Sequence, residues 1–269
     1  MEKIKVCITG HDGFIGTNLL RLLKENDDVQ VVPFVGDLLK KEDVKAFFNK
    51  NKNIKQIIHL VGAFFGGFDD LFRLNVLTMY NLLNVASQNS VEKIIFTSSG
   101  AVYGEPIGTE SFENDSSKPN TDYGLAKKIT EDVVFYFYDK YKLDYIILRF
   151  PNVYGNGNKS GVIFNFTKDI EEKGEITVCG DGNQSRNFLN VSDACGAIEK
   201  SIFYKKSGIF NISNPIKTSI DDLVKIFQEK YKFKIKRKEA DNDLKDLLLS
   251  IDKAKKELGF SPQVTKIKL

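Results

Sequence analysis

The sequence predicts a doubly wound α/β fold, a parallel sheet with helices on both faces, followed by a smaller C-terminal lobe. Three observations predict it. Short β-branched runs alternate with helical apolar spacing through residue 150, a glycine-rich turn joins the first run to the first helix, and the rhythm changes after Pro151.

Residues 6–8 form a strand closed by Thr9-Gly10, and residues 14–23 carry apolar side chains at helical spacing. Residues 29–35 read as the second strand, 42–51 as the second helix and 54–61 as a third strand rich in Ile and Val. Residues 72–88 are a long helical pattern, 92–97 a continuous apolar strand, 123–141 a second long helix and 143–150 the next strand. Such alternation implies right-handed crossovers and a parallel sheet. After Pro151, Asn, Gly and Lys fill 152–161, and later elements are short and set apart by Gly-Asp-Gly and Ser-Asn-Pro turns. The expected division is 1–150 as the first domain, with 189–212 returning to it, and 151–188 with 213–269 as the second lobe. A cleft separates the two. Residues 230–238 alternate Lys with Phe and Ile and read as a strand with one wet Lys face.

Composition narrows the function. With 269 residues, 42% hydrophobic and 28% charged, the chain can bury a sizeable core and is too apolar for disorder. Thirty-nine Lys and Arg against 36 Asp and Glu leave only +3, far from the concentrated positive field that nucleic-acid binding needs. No apolar run approaches the roughly 18 to 20 residues of a membrane span, and the first nine residues are too short and alternating for a secretory signal, so a cytoplasmic protein is expected. Cys7, Cys179 and Cys195 are scattered and odd in number, which predicts neither a disulfide framework nor a metal site.

Gly10-His11-Asp12-Gly13-Phe14-Ile15-Gly16 lies where the unpaired N–H groups of a helix N-terminus can hold a pyrophosphate. Gly10 permits the tight turn, Gly13 the approach of phosphate and Gly16 the packing of helix on strand. The spacing is GxxGxxG rather than GxGxxG. The second strand ends in Val31-Val32-Pro33-Phe34, with neither an acid for ribose hydroxyls nor an Arg for a 2′-phosphate, so NAD and NADP are both left open. Asp37, the first acid downstream, either touches the adenine end or caps the next helix.

Tyr123 and Lys127, four residues apart, share one face of a helix. A neighbouring cation favours phenolate and lets a tyrosine exchange a proton with a substrate hydroxyl. The strand 92–97 runs into Thr97-Ser98-Ser99-Gly100, delivering hydroxyls to the carboxyl edge of the sheet, where open α/β folds bind ligands. His59 reads as a structural histidine and His11 as a loop residue.

With these motifs the chain resembles the extended short-chain dehydrogenase/reductases, specifically the NAD-dependent epimerase/dehydratase family of nucleotide-sugar enzymes, with a likeness to UDP-glucose 4-epimerases. The resemblance runs through TGHDGFIG at 9–16, HLVG at 59–62, Asn75, SSGAVYGEP at 98–106, YGLAK at 123–127 and LRFPNVYG at 148–155. It continues through GDGNQSRNFLNVSD at 180–193, FNISN at 210–214 and IDKAKKELGFSP at 251–262. It implies a Rossmann domain, a bound NAD and a catalytic set of Ser99, Tyr123 and Lys127. It places the cofactor against Gly10, Asp12, Gly13, Phe14, Ile15 and Gly16, against Asp37 and Leu38, and against Leu60, Val61, Gly62 and Asn75. Thr97, Tyr123, Lys127 and Phe150 complete that surface. The nucleotide sugar is expected on Ser99, Asn152, Val178 and Arg186, with Arg186 clamping the diphosphate. Asn187 stands where the family usually has Asp.

Members that dehydrate carry Asp-Glu directly after the catalytic hydroxyl, whereas Gly100 and Ala101 stand here. Ala101 likewise replaces the Glu of sugar-acid decarboxylases and the Cys of an epimerase-reductase. The expected reaction is therefore 4-epimerisation: hydride passes from C4 to NAD, the 4-keto sugar turns over, and hydride returns to the other face. The alternatives are an NAD(P)H-dependent 4-ketoreductase and a non-catalytic dinucleotide sensor. Pocket shape at Phe64, Phe65, Ile163 and Val178 sets the sugar. The resemblance also implies a homodimer through helices 72–88 and 123–141.

Overall fold

β-Branched runs in the first 150 residues become parallel strands because each is apolar on both faces. These are β1 (Ile4–Thr9), β2 (Val29–Pro33), β3 (Gln56–His59), β4 (Lys93–Ser99) and β5 (Asp144–Phe150). Helices α1 (Phe14–Leu23), α2 (Lys41–Lys50), α3 (Phe68–Leu71), α4 (Thr78–Ala86) and α5 (Asp122–Tyr141) connect them. The computed structural model describes residues 2–105, 108–239 and 246–269. A wider helical turn, Phe72–Leu77, joins α3 to α4 without a break, so the expected helix 72–88 begins earlier, at Phe68. Thr121 starts α5 by accepting the Gly124 N–H at 3.1 Å, and left-handed Lys142 ends it.

After β5 come β6 (Asn152–Tyr154), α6 (Gly161–Lys173), β7 (Glu175–Cys179), β8 (Ser185–Arg186) and β9 (Phe188–Asn190). They are followed by α7 (Val191–Phe203), β10 (Gly208–Asn211), β11 (Thr218–Ser219), α8 (Ile220–Gln228) and β12 (Lys234–Lys238). The six-stranded sheet has the order β10-β5-β4-β3-β1-β2, all parallel. The chain moves outward from β1 to β2 and then returns to β3 on the other side of β1. That reversal opens a crevice above β1 and β3, where ligands bind in open α/β sheets.

Two cores flank this sheet. One packs Val6, Ile8, Leu19 and Ile95 with α7, and the other packs Cys7, Phe47, Ile57, Met79 and Val134. A third, separate core fills the second lobe with Tyr154, Phe166, Ile176, Phe188, Leu223 and Phe227. Residues 251–260, expected with the second lobe, instead put Ile251, Ala254, Leu258 and Phe260 into the first core beside Phe210 and Ile198. Their apolar spacing is spent on α7 and the sheet. β12 pairs in parallel with β7, yet all five of its residues are exposed, including Ile235, so it has no dry face. Among the described residues no helix is long and apolar enough to cross a membrane.

One buried charge braces the fold. Lys93, at the start of β4, donates to the carbonyl oxygens of Ser201, Ile202 and Tyr204 at 2.8–2.9 Å, satisfying the last turn of α7. Replacing it with Met removes the Lys93 donor from the Ser201 and Tyr204 carbonyls and leaves Ile202 only the Gln56 amide at 3.0 Å. Lys93→Met is expected to lower the unfolding free energy by about 2–4 kcal/mol in urea titration, while a loss below about 0.5 kcal/mol would contradict this role.

Candidate active site

The turn between β1 and α1 is shaped by close contact. Gly10 adopts φ +70°, and a Cβ on Gly16 would lie 2.1 Å from the Gly10 carbonyl oxygen, so any side chain there would push α1 off the turn. Gly13, the residue before α1, offers no side-chain cap, and the first turn carries no acid. The N–H groups at this helix start therefore point into the crevice with the positive end of the helix dipole behind them, which suits a pyrophosphate. Asp12 is exposed beside them, while Phe14 and Ile15 pack partly into the first core.

The same turn leads to the Tyr-Lys pair. A Cβ on Gly10 would touch Leu60 and Val61 at 3.2 Å, and one on Gly62 would lie 2.5 Å from Asn75 Oδ1 and 3.1 Å from Lys127 Nζ. The phosphate turn, the strand-end segment Leu60-Val61-Gly62 and the catalytic lysine are thus consecutive neighbours. Asn75 sits in the wider helical turn, buried, and donates to the carbonyls of Ala63 and Leu71 at 2.9 and 2.8 Å. Its Oδ1 is buried with no protein partner among the described residues and faces Gly62.

α5 and β4 bring the expected catalytic residues Ser99, Tyr123 and Lys127 together. Lys127 donates to the Thr97 carbonyl at 3.1 Å and lies over the Phe96 ring, with its Nζ 6.0 Å from the centre of the Tyr123 ring. The Thr97 hydroxyl is turned to the His59 carbonyl at 3.3 Å. Ser99 accepts the Ala101 N–H at 3.2 Å, capping the short helix Gly100–Tyr103, and hydrogen-bonds the Tyr123 phenol. Phe150 is the register partner of Ser99 on β5 and is buried.

The electrostatics differ from the sequence expectation. Burial pushes the Tyr123 phenol above its ordinary value, and the Ser99 hydrogen bond only partly reverses this. Lys127 does not make the resting phenol acidic, because its ammonium is held away on Thr97. Burial draws Lys127 itself down to about 8, opposed by the Glu131 carboxylate one turn along the helix. Tyr123 is therefore a protonated phenol at rest. His59 is driven down to about 3 by burial and then by Lys127, and its Nδ1 lies 2.8 Å from the Thr9 hydroxyl. It joins β3 to β1 as a neutral ring.

Behind these groups lies a network that the sequence did not flag. Glu131 accepts from Ser98 at 2.6 Å and from Arg149 Nε and Nη2 at 3.0 and 2.6 Å, all buried. The Arg149 guanidinium lies 4.6 Å over Tyr103, whose hydroxyl donates to Asn211 Oδ1 at 2.8 Å. The signals were Glu at i+8 from Tyr123 on the catalytic helix and an Arg inside an otherwise apolar strand.

The remaining expected residues are placed as follows. Asp37 is exposed, and its Oδ1 accepts the Leu39 N–H at 2.9 Å, closing its own turn before α2. Leu38 is buried, with its carbonyl held by Asn81 at 3.0 Å. Just past the end of β2, Val35 is 76% exposed, and the Asp43 carboxylate next to Gly36 accepts the Asp37 N–H at 2.9 Å. Asn152 pairs with Phe188, two residues from Arg186, so the β6–β9 ladder brings both polar side chains to one end of the second lobe. Arg186 is half-buried near Asp246. Asn187 accepts the Leu249 N–H at 2.8 Å and donates to the Ile216 carbonyl at 3.3 Å, a two-way bridge that a carboxylate could not make. Val178, expected on the sugar, is only 1% exposed and is spent in the second-lobe core, so it backs the site rather than lining it.

A parallel sheet with a glycine turn at its crevice and a Ser-Tyr-Lys set at its carboxyl edge defines a dinucleotide-dependent enzyme class. The chain belongs to the NAD dependent epimerase/dehydratase family, whose model matches residues 6–213. It is 29% identical to a putative UDP-glucose 4-epimerase of Methanocaldococcus jannaschii, over 96% of this chain and 93% of the relative. It is also 29% identical to dTDP-4-dehydro-6-deoxyglucose reductase of Escherichia coli, over 98% and 94%. A UDP-glucose 4-epimerase from Thermotoga maritima, solved with UDP-glucose, superposes with TM-score 0.88 at 25% identity, covering 96% of this chain and 94% of that one. Two other structures at 25% identity hold NAD.

Because the Lys127 value is lowered from 10.5, its charge is present below about pH 8 and lost above it. Turnover is expected to fall through that range, whereas Lys127→Arg, charged throughout, is expected to show a flat residual rate to about pH 10. A wild-type rate that stays level to about pH 10 would contradict the assignment.

Proposed function

We propose that this chain is a nucleotide-sugar 4-epimerase that works with bound NAD. The observation that carries this reading is the gathering of Ser99, Tyr123 and Lys127, with Lys127 Nζ 6.0 Å from the centre of the Tyr123 ring and Gly62 standing between that lysine and the phosphate turn. The uncapped α1 start, Asn75 Oδ1 and Lys127 fit a nicotinamide dinucleotide. When bound, that cofactor supplies reversible oxidation of a carbinol carbon. Tyr123 accepts the sugar C4 hydroxyl proton as that carbon is oxidised and returns a proton when the 4-keto sugar is reduced on its other face. Ser99 holds the same oxygen in line, and Lys127, fixed on the Thr97 carbonyl, stands 6.0 Å from the centre of the phenol ring. Asn152 and Arg186 would hold the sugar and diphosphate end.

A side chain at Gly100 would meet Leu249 at 3.1 Å, so the acid pair that dehydration needs has no room there without displacing Leu249. The relative named as a putative UDP-glucose 4-epimerase supports the same reading.

A second reading, reduction of a nucleotide 4-keto-6-deoxy sugar by NAD(P)H, is favoured by the end of β2. Val35 is bare there and the Asp43 carboxylate is engaged by the Asp37 N–H, which leaves the ribose loosely held, as suits a cofactor that leaves after each turnover. The reductase relative is in keeping with it. Purified protein with no added cofactor is expected to interconvert UDP-glucose and UDP-galactose, and Tyr123→Phe is expected to slow this about 100- to 10,000-fold while retaining NAD. Stoichiometric NADPH consumption would replace the epimerase by the reductase, and unchanged turnover in Tyr123→Phe would remove the tyrosine from its role.

We further propose a cytoplasmic homodimer. Leu74, Leu77 and Tyr80 before and within α4, and Tyr136, Tyr138 and Tyr141 of α5, leave large apolar side chains exposed on two contacting helices. Sedimentation at micromolar concentration is expected to give twice the chain mass, with Tyr80→Glu/Tyr136→Glu monomeric. A monomeric wild type would contradict it.

A further inference from the structure

We propose that Phe64 and Phe65 form an aromatic wall over the sugar position that admits a hexose bearing an uncharged group at C5 and rejects a uronate. This rests on the nucleotide-sugar reading of the site.

The chain leaving β3 is pinned at Gly62 against Asn75 and Lys127, and Ala63 is held by the Asn75 amide at 2.9 Å. The next two residues therefore emerge beside the catalytic pair. Phe64 sets its edge against the Tyr123 ring, with centroids 6.4 Å apart at 76°, and Phe65 packs on Phe64 at 4.5 Å. Beyond them Gly66, at φ +117°, turns the chain into α3, where the Leu71 N–H donates to the Gly67 carbonyl at 3.1 Å. Both ends of the segment are fixed, so the rings stand in place before any ligand arrives.

These rings are not core. Phe64 is 49% and Phe65 75% exposed, while Phe47, Phe48, Phe96 and Phe137 of the same lobe are buried. Apolar surface left open against a reacting phenol fits the C–H face of a pyranose, which an aromatic ring covers well. A carboxylate at C5 would be stripped of water against these rings. Two carboxylates stand at the head of the helix that follows: Asp70 packs on Gly66, its Cβ 3.3 Å from where a Gly66 Cβ would stand, and Asp69 precedes it. Lys127 is already committed to Thr97 and Phe96, and Arg73 lies a turn further along the helix. An uncompensated carboxylate is costly in such a place.

The test compares binding of UDP-glucose, UDP-glucuronate and UDP to the NAD-loaded protein by calorimetry. The wild type is expected to bind UDP-glucose at least about 10-fold more tightly than UDP-glucuronate. Phe64→Ala/Phe65→Ala is expected to bring the two within about 3-fold, with UDP affinity, NAD content and melting temperature unchanged and Phe64→Tyr behaving as wild type. Equal wild-type affinity for the two sugars, or a double variant that keeps the preference, would overturn the wall. Failure of all three nucleotides to bind would overturn the nucleotide-sugar reading, and the wall with it.

Discussion

The carboxylate of Glu131 is the joint on which the carboxyl edge of the sheet depends. It receives Ser98 from β4 and two of the three guanidinium nitrogens of Arg149 from β5, and it rides on the helix that carries Tyr123 and Lys127. Three elements that contribute to the site are therefore fixed to one another by a single buried group. Removing one partner of a buried pair usually costs about 3–5 kcal/mol, because the other charge is left in low dielectric without compensation. Arg149 extends the joint through Tyr103 to Asn211 on β10, at the edge of the sheet. The candidate site is thereby braced from behind, the kind of support that holds reacting groups in place.

Burial and charge oppose each other within this frame. Burial raises the phenol of Tyr123 and lowers the ammonium of Lys127, so neither sits at its ordinary value. A protonated resting phenol is ready to give its proton to a ketone oxygen. Its service as a base calls for added positive charge in the crevice, and an oxidised nicotinamide ring would bring it. The adenosine end is looser, with Val35 bare at the end of β2 and Asp37 turned to its own backbone.

Periodicity and glycine placement made the first lobe legible. The alternation of β-branched runs and helical spacing led to the correct sheet, and α1 has the expected bounds of 14–23. The Tyr123–Lys127 spacing and the hydroxyls at the end of β4 were equally visible, because local pattern decides them. What escaped was decided by tertiary contact. Lys93 reads as a strand-end surface residue until three carbonyls of α7 are seen around it, and Glu131 looks like one charge among many on a helix. Val178 carries no mark of the direction it faces, and the apolar spacing of 251–260 does not say which core it joins. The wider helical turn that carries Asn75 has the composition of an ordinary helix.

The central claim is that Tyr123 moves a proton while the same C4 hydrogen leaves the sugar and returns to it. Turnover of UDP-glucose deuterated at C4, in unlabelled water and followed by mass spectrometry of the product, tests this most directly. Full retention of deuterium in the 4-epimer, with no net change in absorbance of the reduced cofactor, is the predicted result. Loss of the label to water, or its appearance in a released cofactor pool, would contradict it.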